Sequence, residues 1–184
     1  MGTKERIYEE LLVLRSQEGD PAAFEELVRR WQGRLWRHAC RLTGSEDAAW
    51  DVVQDTWVAV AGGIARLQDA AAFRAWAYRI VSNKSRDWVR RQARRRRLAE
   101  DYGQMQRAAG SGDPDAACER CSALREALAR LPGKDRAILS LQYEEGFGVA
   151  DIAEILGIPE GTVKSRIHYA KVRLRRLFEE ISDD

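Results

Sequence analysis

The residues with the clearest chemical potential form a basic run near the C-terminus. Gly161–Arg176 contains six Lys or Arg, one His and no acid. Cations at this density suit a polyanion such as nucleic-acid phosphate, although a charge run by itself is also typical of a solvated helix face. The apolar residues of this run recur in steps of four and three, which predicts one buried stripe with the polar residues turned away from it. The predicted stripe is Val163, Ile167, Ala170, Leu174 and Leu177.

The residues that precede this run predict a helix-turn-helix. Val149–Leu156 has the pattern of a short helix, residues 157–159 (Gly-Ile-Pro) that of a tight turn, and Glu160–Ile181 that of the last helix. A short turn with glycine between two helices is typical of DNA-binding modules, whose second helix enters the major groove. Gly161 has no side chain, so a phosphate backbone could approach the positive end of that helix. The pattern therefore favours DNA binding over a solvated face.

The geometry of a recognition helix assigns different roles to the residues that point away from the buried stripe. The N-terminal half of such a helix reaches base edges, and the surrounding cations contact phosphates without reading sequence. The predicted base readers are Lys164, Ser165 and His168. The predicted phosphate contacts are Arg166, Lys171, Arg173 and Arg176. Gly161, Thr162 and Tyr169 complete the predicted DNA-binding set of this helix.

A second candidate nucleic-acid surface lies in the middle of the chain. Arg86–Arg97 contains seven Arg and a single Asp. Aromatic residues interleave with cations before and within it, and stacking with backbone neutralisation is what single-stranded DNA binding requires. The aromatic residues are Phe73, Trp76, Tyr78 and Trp88. Phe73, Trp76 and Ile80 follow helical spacing, which favours the core for them and leaves Trp88 open between core and stacking.

An acidic helix face precedes that surface. Asp51 and Asp55 are four residues apart, so on a helix both carboxylates share one face with Gln54 beside them. The opposite face is apolar. Carboxylates at this spacing can pair with Arg on a partner helix, whereas the alternative is a plain solvated acidic face.

These surfaces require a scaffold, and the sequence predicts an all-α one. Helical periodicity is continuous except over a polar, glycine-containing segment, which predicts two helical domains joined by a flexible linker. The predicted divisions are an N-terminal helical extension at 1–17, a first domain at 18–97, the linker at 98–115 and a second domain at 116–184. The predicted buried stripe of the helix that opens the second domain is Ala117, Cys121, Leu124, Leu128 and Leu131.

The first 17 residues predict an amphipathic helix with Ile7, Leu11 and Leu14 on its apolar side. This helix either packs on the first domain or serves a regulator. The stretch is charged and lacks the apolar core of a signal peptide, and no window is long enough to span a bilayer. We therefore expect a cytoplasmic protein without membrane insertion.

The cysteines raise a separate hypothesis. Three cysteines in a chain of 184 residues fit a reducing compartment better than a disulfide framework. Cys118 and Cys121 have the spacing of half a zinc site, which His38 and Cys40 could complete. The alternative is that Cys121 is a small core residue, and we favour it. We accordingly expect no metal and no cofactor.

The second domain carries a family resemblance. The segment LPGKDRAILSLQYEEGFGVADIAEILGIPEGTVKSRIHYAKVRL resembles region 4 of bacterial sigma factors of the extracytoplasmic-function type, through Leu131-Pro132, residues 151–153 (Asp-Ile-Ala) and residues 161–166 (Gly-Thr-Val-Lys-Ser-Arg). The resemblance implies that the last helix reads the promoter −35 element. Tyr169 departs from the pattern, because many members have Arg there.

The first domain carries the other half of the resemblance. AWDVVQDTWVAV looks like region 2.2, which implies that Asp51, Gln54 and Asp55 bind the clamp of the RNA polymerase largest subunits. FRAWAYRIVSNKSRDWVRRQARRRR resembles regions 2.3 and 2.4, which implies that this helix and the loop before it open the −10 element and capture an unstacked base. The implied −10 residues are Arg66, Arg79, Asn83, Lys84, Arg86, Trp88, Arg90 and Arg91.

The resemblance spans nearly the whole chain and implies a function. It implies a transcription initiation factor that binds core polymerase at the clamp and the flap, recognises the −35 and −10 elements and helps melt the −10 region. It makes an anti-sigma factor a candidate partner. Because no catalytic triad, phosphate loop or paired catalytic carboxylate is present, we expect no enzymatic chemistry. The alternatives are a conventional helix-turn-helix regulator that acts without core polymerase and a helical enzyme or metal-sensor module.

Overall fold

The computed structural model describes residues 3–100 and 119–182, and every regular element within these ranges is helical. The α-helices are α1 (Thr3–Gln17), α2 (Pro21–Thr43), α3 (Glu46–Gly63), α4 (Phe73–Glu100), α5 (Glu119–Arg130), α6 (Gly133–Tyr143), α7 (Val149–Leu156) and α8 (Glu160–Ser182). Two short 3₁₀ turns, Ile64–Arg66 and Ala70–Ala72, lie between α3 and α4. The chain divides into two compact units between Tyr102 and Gly103. The predicted all-α class is confirmed.

The helices begin and end where local side chains satisfy the backbone. Asp20 caps α2, since its Oδ1 accepts from Ala22 N at 2.9 Å. Gly44 follows α2 with φ 71°, a left-handed conformation that glycine adopts without strain. Ser45 Oγ then accepts from Ala48 N at 3.4 Å at the start of α3. These residues set the two ends of α2 and the start of α3.

The core of the first unit forms between α2, α3 and α4. Trp31 of α2 is fully buried, and its ring meets Phe73 and Tyr78 of α4 edge-on at 5.8 and 6.2 Å between centroids. Leu27 and Leu35 lie one turn away on either side and are also fully buried. Aromatic rings in this arrangement combine a large buried area with favourable edge-to-face electrostatics. The cluster fixes α4 on the bundle.

Tyr78 corrects the sequence interpretation of α4. It was counted among the aromatic residues available to nucleic acid, yet only 2% of its surface is exposed. The helix packs on both α2 and α3, so its buried face is wider than a single stripe and takes in Val81, Ser82 and Ser85. Trp88 is half-buried.

The N-terminal helix α1 packs on α2 through a different face from the one predicted. Leu12 and Val13 are buried, whereas Ile7, Leu11 and Leu14 are exposed. The inner face also carries Glu9, which is 8% exposed, and Ser16, whose Oγ donates to the carbonyl of Leu12 at 2.7 Å. Polar residues share the inner face of α1, whereas the outer stripe is more uniformly apolar. The apolar pattern therefore predicted the outer stripe as the packing face.

Burial of Glu9 depends on nearby cations. Removal from water raises the pKa of its carboxyl, and the charges of Arg34, Arg30 and Arg74 oppose that shift. A buried carboxylate requires such compensation. Residues from α2 and α4 therefore accommodate the one acid on the inner face of α1.

The second unit is built on the buried stripe of α8. Val163, Ile167 and Ala170 are buried, as predicted, and α8 packs against α5, α6 and α7. Leu174 and Leu177, which were predicted in the same stripe, are only half-buried. In α5 the inward positions differ from the predicted stripe: Ala127 is buried, but Leu124 is exposed. Leu124 therefore does not belong to the buried stripe predicted for this helix.

The predicted linker and the predicted buried stripe of α5 lie partly outside the described residues. Helix α4 continues to Glu100, so it enters the segment predicted as a linker at 98–115. The rest of that segment, with Ala117 and Cys118, lies outside the described residues, as does the side chain of Cys121. Among the helices of residues 3–100 and 119–182, none has both the length and the apolar character to cross a bilayer.

Candidate nucleic-acid and polymerase interfaces

The turn between α7 and α8 sets the position of the basic helix. Gly157 adopts φ 59° and ψ 42°, and the N–H of Ile158 donates to the carbonyl of Ala153 at 3.1 Å. The carbonyl of Pro159 then accepts from Thr162 N at 2.9 Å, which begins α8. A left-handed glycine followed by proline ends one helix and starts the next within three residues. The predicted helix-turn-helix is therefore present in the second unit.

The outward face of α8 presents the predicted base readers to solvent. Lys164, Ser165 and His168 are exposed, and so are Tyr169 and Val172 beyond them. Ser165 Oγ donates to the carbonyl of Thr162 at 3.0 Å, so its lone pairs face outward. The His168 and Tyr169 rings meet edge-on at 5.6 Å. The structure thus brings the base-reading candidates onto one surface.

Gly161 lies on this surface without a partner inside the chain. A methyl group built at its Cα would meet no heavy atom within 4 Å outside its own helix backbone. No packing contact within the described residues therefore requires glycine at this position. The space is available to a molecule outside the chain.

Three of the four predicted phosphate-contacting cations are held by neighbouring side chains. Arg173 Nη1 lies 2.5 Å from Asp135 Oδ2 of α6, and Arg176 Nε lies 2.9 Å from Glu180 Oε1 of α8 itself. Lys171 Nζ lies 5.1 Å from the centroid of the Tyr143 ring. Cation–π and ion-pair contacts of this kind orient a long side chain before a ligand arrives. Sequence reasoning did not predict Asp135 or Tyr143 in these roles.

The acidic face of α3 is exposed as predicted. Asp51, Gln54 and Asp55 all face solvent, and the opposite side of α3 is buried. Val58, one turn further along the same face, is 74% exposed. An isolated surface valine needs no explanation, but one that continues a polar binding face extends that face with an apolar contact. Sequence reasoning missed Val58, because a single valine in an apolar segment gives no sign that its side chain is exposed.

The predicted −10 residues are distributed along α4 and the loop before it. Arg79, Asn83, Arg90 and Arg91 are exposed, while Lys84, Arg86 and Trp88 are half-buried; Arg66 is exposed on the first 3₁₀ turn. Asn83 Oδ1 accepts from Arg86 Nη2, so this amide keeps its NH₂ donors for a ligand. Arg90 Nη1 lies 4.0 Å from Asp87 Oδ1. Since they span several turns, these residues form an extended strip rather than one pocket.

A cleft of about 520 Å³ opens between the loop and the start of α4. Its lining residues are Gly63, Arg66, Leu67, Gln68, Asp69, Ala72 and Trp76. A methyl group on Gly63 would lie 2.8 Å from Cζ2 of Trp76, so only glycine lets the indole take this position. The loop is braced by Arg66 Nη2, which donates to the carbonyl of Gly62 at 3.1 Å, and by Asp69 Oδ1, which accepts from Ala71 N at 2.9 Å. The volume is in the range of small-molecule sites.

The surroundings of His38 and Cys40 indicate structural side chains rather than reactive ones. His38 Nε2 lies 2.9 Å from Ser82 Oγ, and burial lowers the pKa of the imidazole to about 3. Burial raises the pKa of the half-buried Cys40 thiol to about 11, which makes it a poor nucleophile. Among the described residues no group of three or more His, Cys, Asp or Glu is placed to hold a metal ion. Because Cys118 and the Cys121 side chain lie outside them, the zinc hypothesis is not tested.

Comparison with known proteins gives consistent results for both units. Residues 27–95 match the family "Sigma-70 region 2", and residues 121–174 match "Sigma-70, region 4". The chain is 38% identical over 178 residues to the ECF RNA polymerase sigma factor SigM of Mycobacterium tuberculosis, covering 96% of this chain and 87% of SigM.

Two solved structures are similar to the whole chain. CnrH in complex with the cytosolic domain of CnrY is 28% identical with a TM-score of 0.63, covering 94% of this chain and 98% of CnrH. RpoE in complex with the anti-sigma factor NepR from Bartonella quintana is 25% identical with a TM-score of 0.69, covering 85% of this chain and 96% of RpoE. Helix α1 precedes both matched family regions.

Proposed function

The chain belongs to the extracytoplasmic-function sigma factors, which direct RNA polymerase to promoters, and from this premise we propose which of its surfaces performs each step. The single observation that carries the assignment is the outward face of α8, where the base-reading candidates lie together above a buried apolar stripe. The conventional regulator that acts without polymerase is not favoured, because such a protein does not require a region 2 domain.

We propose that α8 reads the −35 element from the major groove. Lys164, Ser165 and His168 contact base edges, and Gly161 lets the DNA backbone approach the start of the helix. Thr162 and Tyr169 border the base readers. The cations that fix the helix on the phosphates are Arg166, Lys171, Arg173 and Arg176. The support is their exposure and the pre-oriented side chains of Arg173 and Lys171.

The test of this division compares His168→Ala with Arg166→Ala in holoenzyme on a library randomised at the −35 element. We expect the first substitution to change the preferred −35 sequence, because a base contact is worth about 1–3 kcal/mol of discrimination. The second should weaken all promoters alike and reduce the salt dependence. Arg125→Ala, which removes an exposed cation of α5, is the matched control. Equal and sequence-independent losses for both variants would contradict the division.

We propose that the loop and α4 capture the −10 element as a single strand. The cleft beside Trp76 accepts one unstacked base, and the exposed cations of α4 neutralise the strand that leads to it. Asn83 offers its amide donors to a base edge. The support is the cleft volume, the glycine that gives Trp76 its position and the exposed cation strip. Trp76→Ala should reduce opening measured with 2-aminopurine in the −10 element while −35 duplex binding persists.

We propose that Asp51, Gln54 and Asp55 bind the polymerase clamp and that Val58 packs at the end of that contact. The support is the exposure of all four side chains on one face of α3. The double variant D51N/D55N should lose affinity for core polymerase because both charge partners are removed. Glu18→Gln, which removes an exposed acid in the turn after α1, is the control. Unchanged core affinity in the double variant would exclude this face.

The decisive test of the function as a whole is transcription in vitro with core polymerase and this protein alone. Failure on every promoter of a genomic library, together with no core binding, would overturn the proposal. We also propose an anti-sigma factor as a partner, because the similar structure of RpoE is a complex with the anti-sigma factor NepR. Co-purification from the source cell with the protein as bait tests that part separately.

A further inference from the structure

Helix α1 ends at a residue that contacts the loop beside the cleft. Gln17 Nε2 donates to the carbonyl of Ile64 at 3.0 Å and to the carbonyl of Leu67 at 2.6 Å. One amide group therefore uses both of its protons on two backbone oxygens about 50 residues away in sequence. Residues 27–95, which match the region 2 family, include the loop but not Gln17.

The two carbonyls bracket the first 3₁₀ turn. Ile64 begins the turn and is buried, and Leu67 follows the turn and lines the cleft. The only backbone bond across the turn among the described contacts runs from Leu67 N to the Ile64 carbonyl at 3.1 Å. Short 3₁₀ turns have weak hydrogen-bond geometry, so two further bonds from one side chain contribute much of the restraint. Arg66, which also lines the cleft, lies within the bracketed turn.

The other end of this restraint is firmly anchored. Helix α1 is fixed on the bundle by the buried Leu12 and Val13, and Arg15 Nη2 lies 2.6 Å from Asp20 Oδ2 at its C-terminal end. It packs against both 3₁₀ turns as well as against α2. Gln17 is therefore the polar link between a helix anchored on the bundle and a loop whose other described side-chain hydrogen bonds, from Arg66 and to Asp69, are local ones.

We propose that Gln17 is a positioning residue that holds the wall of the cleft in the conformation needed for −10 base capture. The inference rests on the proposed function of the cleft. It gives α1 a role in promoter opening, whereas the sequence suggested only packing or regulation for this helix. The chain offers no polar contact to the two carbonyls from another side chain among the described hydrogen bonds.

The test uses Gln17→Met, which keeps the length of the side chain and removes its donors. Gln32→Met, at an exposed position of α2, is the matched control. The first readout is hydrogen–deuterium exchange of residues 64–72 in the free full-length protein. Loss of two hydrogen bonds should raise their exchange about tenfold, with no change in the control. Unchanged exchange would overturn the proposal, whatever the cleft binds.

The second readout uses a single-stranded −10 oligonucleotide that the wild-type holoenzyme selects from a randomised pool. The quantity measured is the base preference of the holoenzyme at each position of this oligonucleotide. Gln17→Met should reduce the preference at the captured position about tenfold while affinity for core polymerase stays at the wild-type value. An equal loss of core affinity would show general destabilisation and would also overturn the proposal. If exchange rises but wild-type holoenzyme prefers no base at any position, the restraint stands and the proposed function of the cleft fails.

Discussion

The ion pair between Arg173 and Asp135 should weaken the phosphate contact proposed for Arg173. In the free protein Arg173 Nη1 is 2.5 Å from Asp135 Oδ2, and the two side chains are 54% and 22% exposed. A phosphate that approaches Arg173 competes with a carboxylate already in place. We therefore expect Asp135→Asn to increase the affinity of holoenzyme for promoter DNA.

The size of the expected gain in DNA affinity follows from the solvent exposure of the ion pair. Exposed ion pairs contribute about 0.2–1 kcal/mol, and the half-exposed guanidinium places this one in that class. Because about 1.4 kcal/mol corresponds to a tenfold change in affinity, Asp135→Asn should raise affinity about 1.4- to 5-fold. Arg173→Ala should lower the slope of log affinity against log salt by about 0.9, the contribution of one phosphate contact.

The assay is fluorescence anisotropy of a labelled promoter duplex titrated with holoenzyme between about 50 and 200 mM salt, a range in which phosphate contacts change affinity strongly. Removing Asp135 also removes a negative charge near DNA, so the gain must be separated from that general effect. The double variant D135N/R173A closes a thermodynamic cycle. If Asp135→Asn gives the same gain with and without Arg173, or if the salt slope of Arg173→Ala is unchanged, the competition does not exist.

Three further predictions concern the first unit. Gly63→Ala should displace Trp76, which lies 2.8 Å from the new methyl group, and lower the free energy of unfolding by about 1–3 kcal/mol in urea denaturation. The depressed pKa of His38 predicts that stability falls as pH decreases from about 6.5 toward about 3, by up to about 1.4 kcal/mol per pH unit, because only the unfolded chain takes up the proton; His38→Gln should remove this slope in urea titrations at several pH values. Val58→Glu should reduce core-polymerase affinity about tenfold at unchanged stability, measured by anisotropy of labelled protein, because a charge replaces a surface apolar contact.

Each of these predictions has an outcome that contradicts it. A Gly63→Ala protein with wild-type stability and promoter opening would mean that Trp76 moves aside at no cost. An unchanged pH slope in His38→Gln would assign acid sensitivity to other groups, Asp20 first among them, because hydrogen bonds from the Ala23 and Ala22 N–H groups lower the pKa of its carboxyl. Wild-type core affinity in Val58→Glu would limit the polymerase contact to the polar part of α3.

The sequence predicted the helices well because their ends are encoded locally. Asp20, Gly44, Ser45 and Gly157 each cap a helix through their own side chain or backbone conformation, so a short window contains the whole signal. The outward face of α8 was predictable for the same reason, since its buried stripe has a single period.

The misassigned residues are those whose environment is set by distant parts of the chain. Leu11 is exposed because the more polar face of α1, with Glu9 on it, finds cations on other helices. Tyr78 is buried because α4 is covered on more than one side. Gln17 was overlooked because its two acceptors are backbone carbonyls, which have no side-chain signature in a sequence.

At position 161 the stability of the fold and the proposed approach of DNA favour different residues. Glycine in a helix is about 0.5–1 kcal/mol less favourable than alanine, and the free protein offers no contact in return. Alanine at this position should therefore raise the melting temperature of the free protein while a methyl group occupies the approach to DNA. An engineering programme that selects for thermal resistance alone would choose this substitution early and lose the proposed approach of DNA to this helix.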